Sequence, residues 1–162
     1  MAKGIPEGYH TVTAYLVVRD ADTTIAFLRK AFGAEEILRM AGPDGKGVGH
    51  AEVRIGDSHV MLAEENPAWG QKAAETLGGS PVSLHLYVAD VDAAFQRAVA
   101  AGAKAVMPPT DMFWGDRFGK VLDPSGIQWG IATNKETVPP AELEKRAKAF
   151  YIEMAKQPQK KT

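Results

Sequence analysis

The sequence predicts an α+β fold in which a β-α-β-β-β unit occurs twice in tandem and a C-terminal helix follows. Three observations predict it. The first is an internal repeat: residues 15–22 (YLVVRDAD) align with residues 85–92 (HLYVADVD), and Gly33-Ala34 with Gly102-Ala103, in copies roughly 70 residues apart. The second is a change of hydrophobic period inside each copy, from the two of a strand to the 3.6 of an amphipathic helix. The third is a set of turn signals, Gly42-Pro43-Asp44-Gly45, Gly56-Asp57-Ser58 and Asp123-Pro124-Ser125-Gly126, that divide the rest of each copy into short strands. At 162 residues the chain has room for one ordinary domain or two fused half-size modules.

In the first module, residues 6–64, a strand around residues 15–18 leads into a helix whose Ile25, Leu28 and Phe32 share a face. Asp20 or Asp22 can accept from the unpaired amides of its first turn, and Gly33 suits the left-handed residue beyond its end. Residues 36–40 (EILRM), 50–55 (HAEVRI) and 59–63 supply three strands, the last two as a hairpin. Residues 65–81 carry three glycines and two prolines and are expected to be a linker with a short helix over 72–77. The second module, residues 82–134, repeats the plan. Asp90 or Asp92 opens a helix with Val91, Phe95, Ala98 and Val99 on one face, and strands follow at 105–107, 118–122 and 127–132. Over residues 135–162, Pro139-Pro140 can start a last helix with Leu143, Ala147, Phe150, Tyr151 and Met154 on one face, and residues 156–162 are expected to be a frayed tail.

Composition narrows the function. A formal net charge of −1, with 45% hydrophobic and 24% charged residues, argues against both a disordered chain and a nucleic-acid binder. Zero cysteines exclude disulfides, thiolate metal sites and thiol nucleophiles, so any metal would rest on four histidines, twenty carboxylates or backbone oxygen. No stretch has the ~18 apolar residues of a membrane span, and the N-terminus lacks a signal-peptide core. The expectation is a soluble cytoplasmic protein with no membrane partner. No phosphate loop, nucleophile elbow or dinucleotide fingerprint occurs.

The tandem β-α-β-β-β plan, a Val-x-Asp at each helix start and Asp123-Pro124-Ser125-Gly126 before the last strand resemble the vicinal oxygen chelate superfamily, which includes glyoxalase, bleomycin resistance and extradiol dioxygenase proteins. Phe113-Trp114-Gly115-Asp116-Arg117 is similar to the PhnB-type, glyoxalase-like branch. The resemblance implies that each module curls its strands into half of a cup that holds the ligand. It also implies that enzymes of the group place metal ligands at positions corresponding here to Thr13, Met61, Ser83 and Gly130. None of these is a usual ligand for a divalent catalytic metal, so no metal cofactor is expected at that place.

From those positions strand alternation predicts what faces the cup. Tyr15, His59, Met61, His85, Tyr87 and Gln128 fall in phase, and His50, Glu52 and Arg54 follow on the middle strand. Phe113-Trp114, expected in an exposed loop, would stack on a flat ligand, and Arg117 would clamp a carboxylate or amide of it. Trp129 falls out of phase and should pack in the core. The ligand-binding candidates are therefore Tyr15, Glu52, His59, Met61, His85, Tyr87, Phe113, Trp114, Arg117 and Gln128, with Glu52 and His85 as the candidates for acid–base catalysis. Two functions compete. One is a metal-independent protein binding a small aromatic or amphipathic molecule. The other is a lyase, isomerase or dioxygenase with one Zn, Ni, Mn or Fe ion on His50, Glu52, His59 and His85. Relatives commonly pair half-cups between subunits, so a homodimer is expected.

Overall fold

A computed structural model describes residues 4–156. The order is β1 (Ala14–Val18), α1 (Ala21–Phe32), β2 (Glu35–Ala41), β3 (Val48–Ile55), β4 (Ser58–Glu64), α2 (Ala74–Leu77), β5 (Ser83–Tyr87), α3 (Val91–Ala100), β6 (Lys104–Asp111), β7 (Asp116–Leu122), β8 (Gln128–Asn134) and α4 (Pro140–Lys156). The strands form two four-stranded sheets, ordered β1-β4-β3-β2 and β5-β8-β7-β6. In each, the first strand runs parallel to the last and the other pairings are antiparallel. The repeat in the sequence is thus a repeat of topology.

Asp20 and Asp90, rather than Asp22 and Asp92, cap the two long helices: Asp20 Oδ1 accepts from the Thr23 amide at 2.8 Å and Asp90 Oδ1 from the Ala93 amide at 3.0 Å. Gly33 ends α1 in the left-handed region at φ 68°. The end of α3 differs: Ala101 caps it in right-handed conformation, and Gly102 takes the positive φ one residue later. In the linker, α2 starts at Ala74 instead of residue 72, after a single 3-10 turn over Pro67–Trp69.

Strand β6 runs past residue 107 to Asp111 despite Pro108 and Pro109. It lies at the edge of its sheet, where a residue without an amide proton leaves no ladder bond broken, and its register with β7 slips between Met107 and Thr110. β7 likewise begins at Asp116, so Asp116 and Arg117 lie in a strand and not in a loop.

One face of each sheet is covered by helix and the other is open. Leu16, Val18, Val53, Leu62, Val121, Trp129 and Ile131 point to the helices and are buried. They join Ile25, Phe27 and Leu28 of α1 and Val91, Ala94 and Ala98 of α3 in one core that spans both modules. Phe32 packs on Trp129 at 4.9 Å between ring centroids, and Thr24 Oγ1 lies 2.7 Å from Ser125 Oγ. Trp129 is 3% exposed and donates its indole N–H to Asp123 at 2.9 Å, in agreement with its expected core position. Burial pushes the Asp123 carboxyl above its ordinary range, against the hydrogen bonds from Trp129, Ile127 and Ser125.

Candidate functional site

The open faces carry the side chains with chemistry. On the first sheet the phase read from the sequence holds: Tyr15, His50, Glu52, His59 and Met61 alternate with the buried residues of β1, β3 and β4. Met61 sits in register between Tyr15 and Glu52. Glu52 is the centre of this group. His50 Nε2 lies 3.1 Å from one carboxylate oxygen, the Tyr9 hydroxyl donates to the other, and the Tyr15 hydroxyl lies 3.3 Å from His50 Nδ1. Those hydrogen bonds, Tyr9 first, hold the Glu52 carboxyl below its usual range, while desolvation and Glu52 push the Tyr9 phenol up to about 12. At neutral pH the pair is therefore a carboxylate accepting from an un-ionised phenol. Leu38 and Met40 of β2 stand beside Glu52 and His50 in register and extend the face with apolar surface.

The open face of the second sheet is aromatic. His85 and Phe118 stack at 5.4 Å with 9° between their planes; Tyr87 adjoins His85 at 4.8 Å and Trp114 meets Phe118 edge-on at 5.8 Å. Beneath them lies Gly130. A Cβ at that position would stand 2.7 Å from Phe118 Cε2 and 3.2 Å from His85 Nδ1, so the stack requires the missing side chain. Asp116, buried, holds the wall in place by accepting from Tyr87 at 3.1 Å, Trp114 at 3.0 Å and Asn134 at 2.8 Å. Its carboxylate in turn raises the Tyr87 phenol above its ordinary value.

A cleft of about 480 Å³ lies between the two sheets, lined by His59 and Val60 from β4, by Leu84, His85, Leu86 and Tyr87 from β5, by the turn before β4 and by Trp129. A second, mostly apolar cleft of about 290 Å³ lies between β1, α2 and β5, with Tyr15 and Lys72 on its wall.

Several expected site residues stand elsewhere. Arg117 points to the helix-covered side of β7, where Asp92 of α3 accepts from it twice at 2.7 and 2.8 Å and Asp111 once at 3.2 Å. It is not beside Phe113 and Trp114. Those two are half-buried instead of exposed: Phe150 and Tyr151 of α4 pack on Phe113 at 5.0 and 6.1 Å, and Trp114 packs on Phe113 at 5.0 Å and on Phe118 at 5.8 Å. Gln128 lines a separate cleft beside α2 with Glu75, Gly78 and Leu122.

The positions at which related enzymes hold a metal do not suit one. Thr13 precedes β1 and leans on the His10 carbonyl, Met61 offers a thioether, Ser83 a neutral hydroxyl, and Gly130 nothing beneath its aromatic cover. Among the described residues no three His, Asp or Glu side chains converge as a metal-binding group, so His50, Glu52, His59 and His85 are not gathered into one set within the chain. Sequence reasoning missed Tyr9, Phe118 and Asp116. For the latter two, cross-strand pairing carries the signal, because Phe118 lies opposite Ala132 and Asp116 opposite Asn134 on the face of Gly130. Tyr9 comes from an irregular segment with no periodicity to place it.

Two mixed sheets of the order 1-4-3-2, each with one open face bearing polar or aromatic groups, define a glyoxalase-like α+β protein. A sequence model of the Glyoxalase/Bleomycin resistance protein/Dioxygenase superfamily matches residues 9–131, and the chain belongs to that superfamily. An uncharacterised protein of Mycobacterium tuberculosis strain H37Rv is 48% identical over 123 residues, 74% of this chain and 72% of that one. Among solved structures, TioX from Micromonospora sp. ML1 is 28% identical with a TM-score of 0.60, over 77% of this chain and 98% of that one. A PhnB protein from Bacillus cereus, 17% identical with a TM-score of 0.59 over 76% of this chain and 99% of that one, shares the fold. No helix among the described residues is long and apolar enough to cross a membrane.

Proposed function

We propose that the protein binds a small flat aromatic or amphipathic molecule against the open faces of its sheets, without a metal at Thr13, Met61, Ser83 and Gly130, and that a second copy completes the cup. The observation that carries this reading is the aromatic wall over Gly130. Where family enzymes carry a carboxylate ligand, Phe118 stacks on His85 with Tyr87 and Trp114 alongside, a surface suited to a ring. Lys120, 5.8 Å from the Phe118 centroid on the same face, favours a ligand with an anionic group. On the other sheet Glu52, His59 and Tyr15 offer polar contacts to the ligand's edge.

Anilinonaphthalene sulfonate, a flat anionic aryl probe, tests this reading. It should bind the protein, and Trp114→Ala should weaken that binding by about 1 to 3 kcal/mol. Trp129→Ala should lower stability by about 3 to 5 kcal/mol instead. Equal effects of the two variants on affinity, with no difference in melting, would refute the assignment. The competing reading is a lyase, isomerase or dioxygenase with a divalent metal on His50, Glu52, His59 and His85, and it draws on His59 and His85 lining one cleft. About one Zn, Ni, Mn or Fe per chain by elemental analysis, lost in both His59→Ala and His85→Ala, would favour it.

A further inference from the structure

Residues 4–10 form neither helix nor strand and cross the open face of the first sheet, where they place one side chain in the polar group. The Tyr9 ring stacks on the His59 imidazole at 4.3 Å with 19° between planes, and its hydroxyl donates to Glu52. His59 Nδ1 lies 2.6 Å from the Gly8 carbonyl oxygen. Gly8 can come that close because it has no side chain: a Cβ would stand 2.7 Å from His59 Cε1. Residues 4–8 are otherwise exposed, so the segment is held here chiefly by one phenol and one carbonyl.

We propose that Tyr9 is a built-in occupant of a phenol-binding site made by the His59 ring, the Glu52 carboxylate and His50 behind it, and that the ligand taken on this half of the cup is a phenolic aryl compound that displaces residues 4–10. The inference rests on the reading of the open faces as a ligand site and names the chemistry of its polar half. A tyrosine side chain is p-cresol on a tether. The two features that receive it, an aromatic face and a carboxylate already hydrogen-bonded on its far oxygen, would receive a free phenol in the same way. A tethered occupant competes at an effective concentration in the millimolar range, so it lowers the apparent affinity for any free phenol by the fraction of time it is bound.

The test is p-cresol binding by calorimetry to the full chain, with toluene as the ring without a hydroxyl. Tyr9→Ala is expected to bind p-cresol at one site per chain, about tenfold or more tighter than the unmodified protein, and to prefer it to toluene. Glu52→Ala in the same background should abolish that preference. Tyr9→Phe, which keeps the stacked ring and drops only the donor, should fall between and carries the test should Tyr9→Ala not fold. No gain in p-cresol affinity in either Tyr9 variant, or toluene bound as well as p-cresol, overturns the phenol assignment. If anilinonaphthalene sulfonate still binds in that case, only this inference falls. If neither probe binds, the binding function falls with it.

Discussion

Gly130 shows how a single missing side chain redirects a site. With a Cβ there, Phe118 could not lie where it does, so the aromatic wall and a carboxylate ligand at this position exclude one another. Gly130→Ala should therefore destabilise the protein by about 1 to 3 kcal/mol through overpacking. Combining it with Phe118→Leu should cost less than the two single changes added, and urea denaturation of the four proteins would measure that coupling. Glu52 makes a prediction about pH. Hydrogen bonds from Tyr9 and His50 hold its folded pKa below its unfolded one. The stabilisation is accordingly present above the unfolded value and lost as pH falls through the folded one. Between about pH 5 and pH 3 the native protein should lose more stability than Glu52→Ala, as followed by circular dichroism. The places of Glu52, His59 and Tyr15 were legible in the sequence, because alternation along a half-buried strand fixes a side chain's face. Tyr9 was not, since its contact with Glu52 spans 43 residues and issues from a segment with no period.

At the scale of elements, local chemistry made α1 and α3 readable to within a residue or two, since an Asp N-cap and an apolar stripe agree at each and Gly33 closes α1. Arg117 went astray for a reason of the same scale. Expected in a loop beside two aromatics, it lies in β7, where the strand's alternation sends Asp116 and Phe118 to the open face and Arg117 to the helix side. The sequence did not show how α4 would dock either. Arg146 binds Glu136 through two nitrogens at 2.9 Å and Glu142 at 3.0 Å, which anchors the first half of the helix, and Phe150 then covers Phe113. Farther along, Tyr151, Ile152 and Met154 remain exposed. Removing residues 139–162 should uncover Phe113 and Trp114, and a red shift of tryptophan emission would report it.

For the whole molecule, the helices of both modules share one core while the opposite faces of both sheets stay open; Tyr87 is 63% exposed. Apolar and aromatic surface of this extent on two faces is what a second subunit would cover. Light scattering at tens of micromolar should give twice the chain mass, and a monomeric mass would contradict the homodimer. If the exposed end of α4 takes part, the chain lacking residues 139–162 should dissociate at higher concentration than the full chain. The outer edges of the two sheets have unequal fates in a crowded or heated solution. Pro108 and Pro109 withhold two amide donors from the rim of the second sheet, so a stray strand finds a broken template there. The rim of the first, Glu35–Ala41, contains no proline and has Ile37, Leu38 and Met40 exposed, with the Arg39–Glu36 pair as its charged guard. Aggregation by strand addition would thus begin at β2, and it would be one-sided.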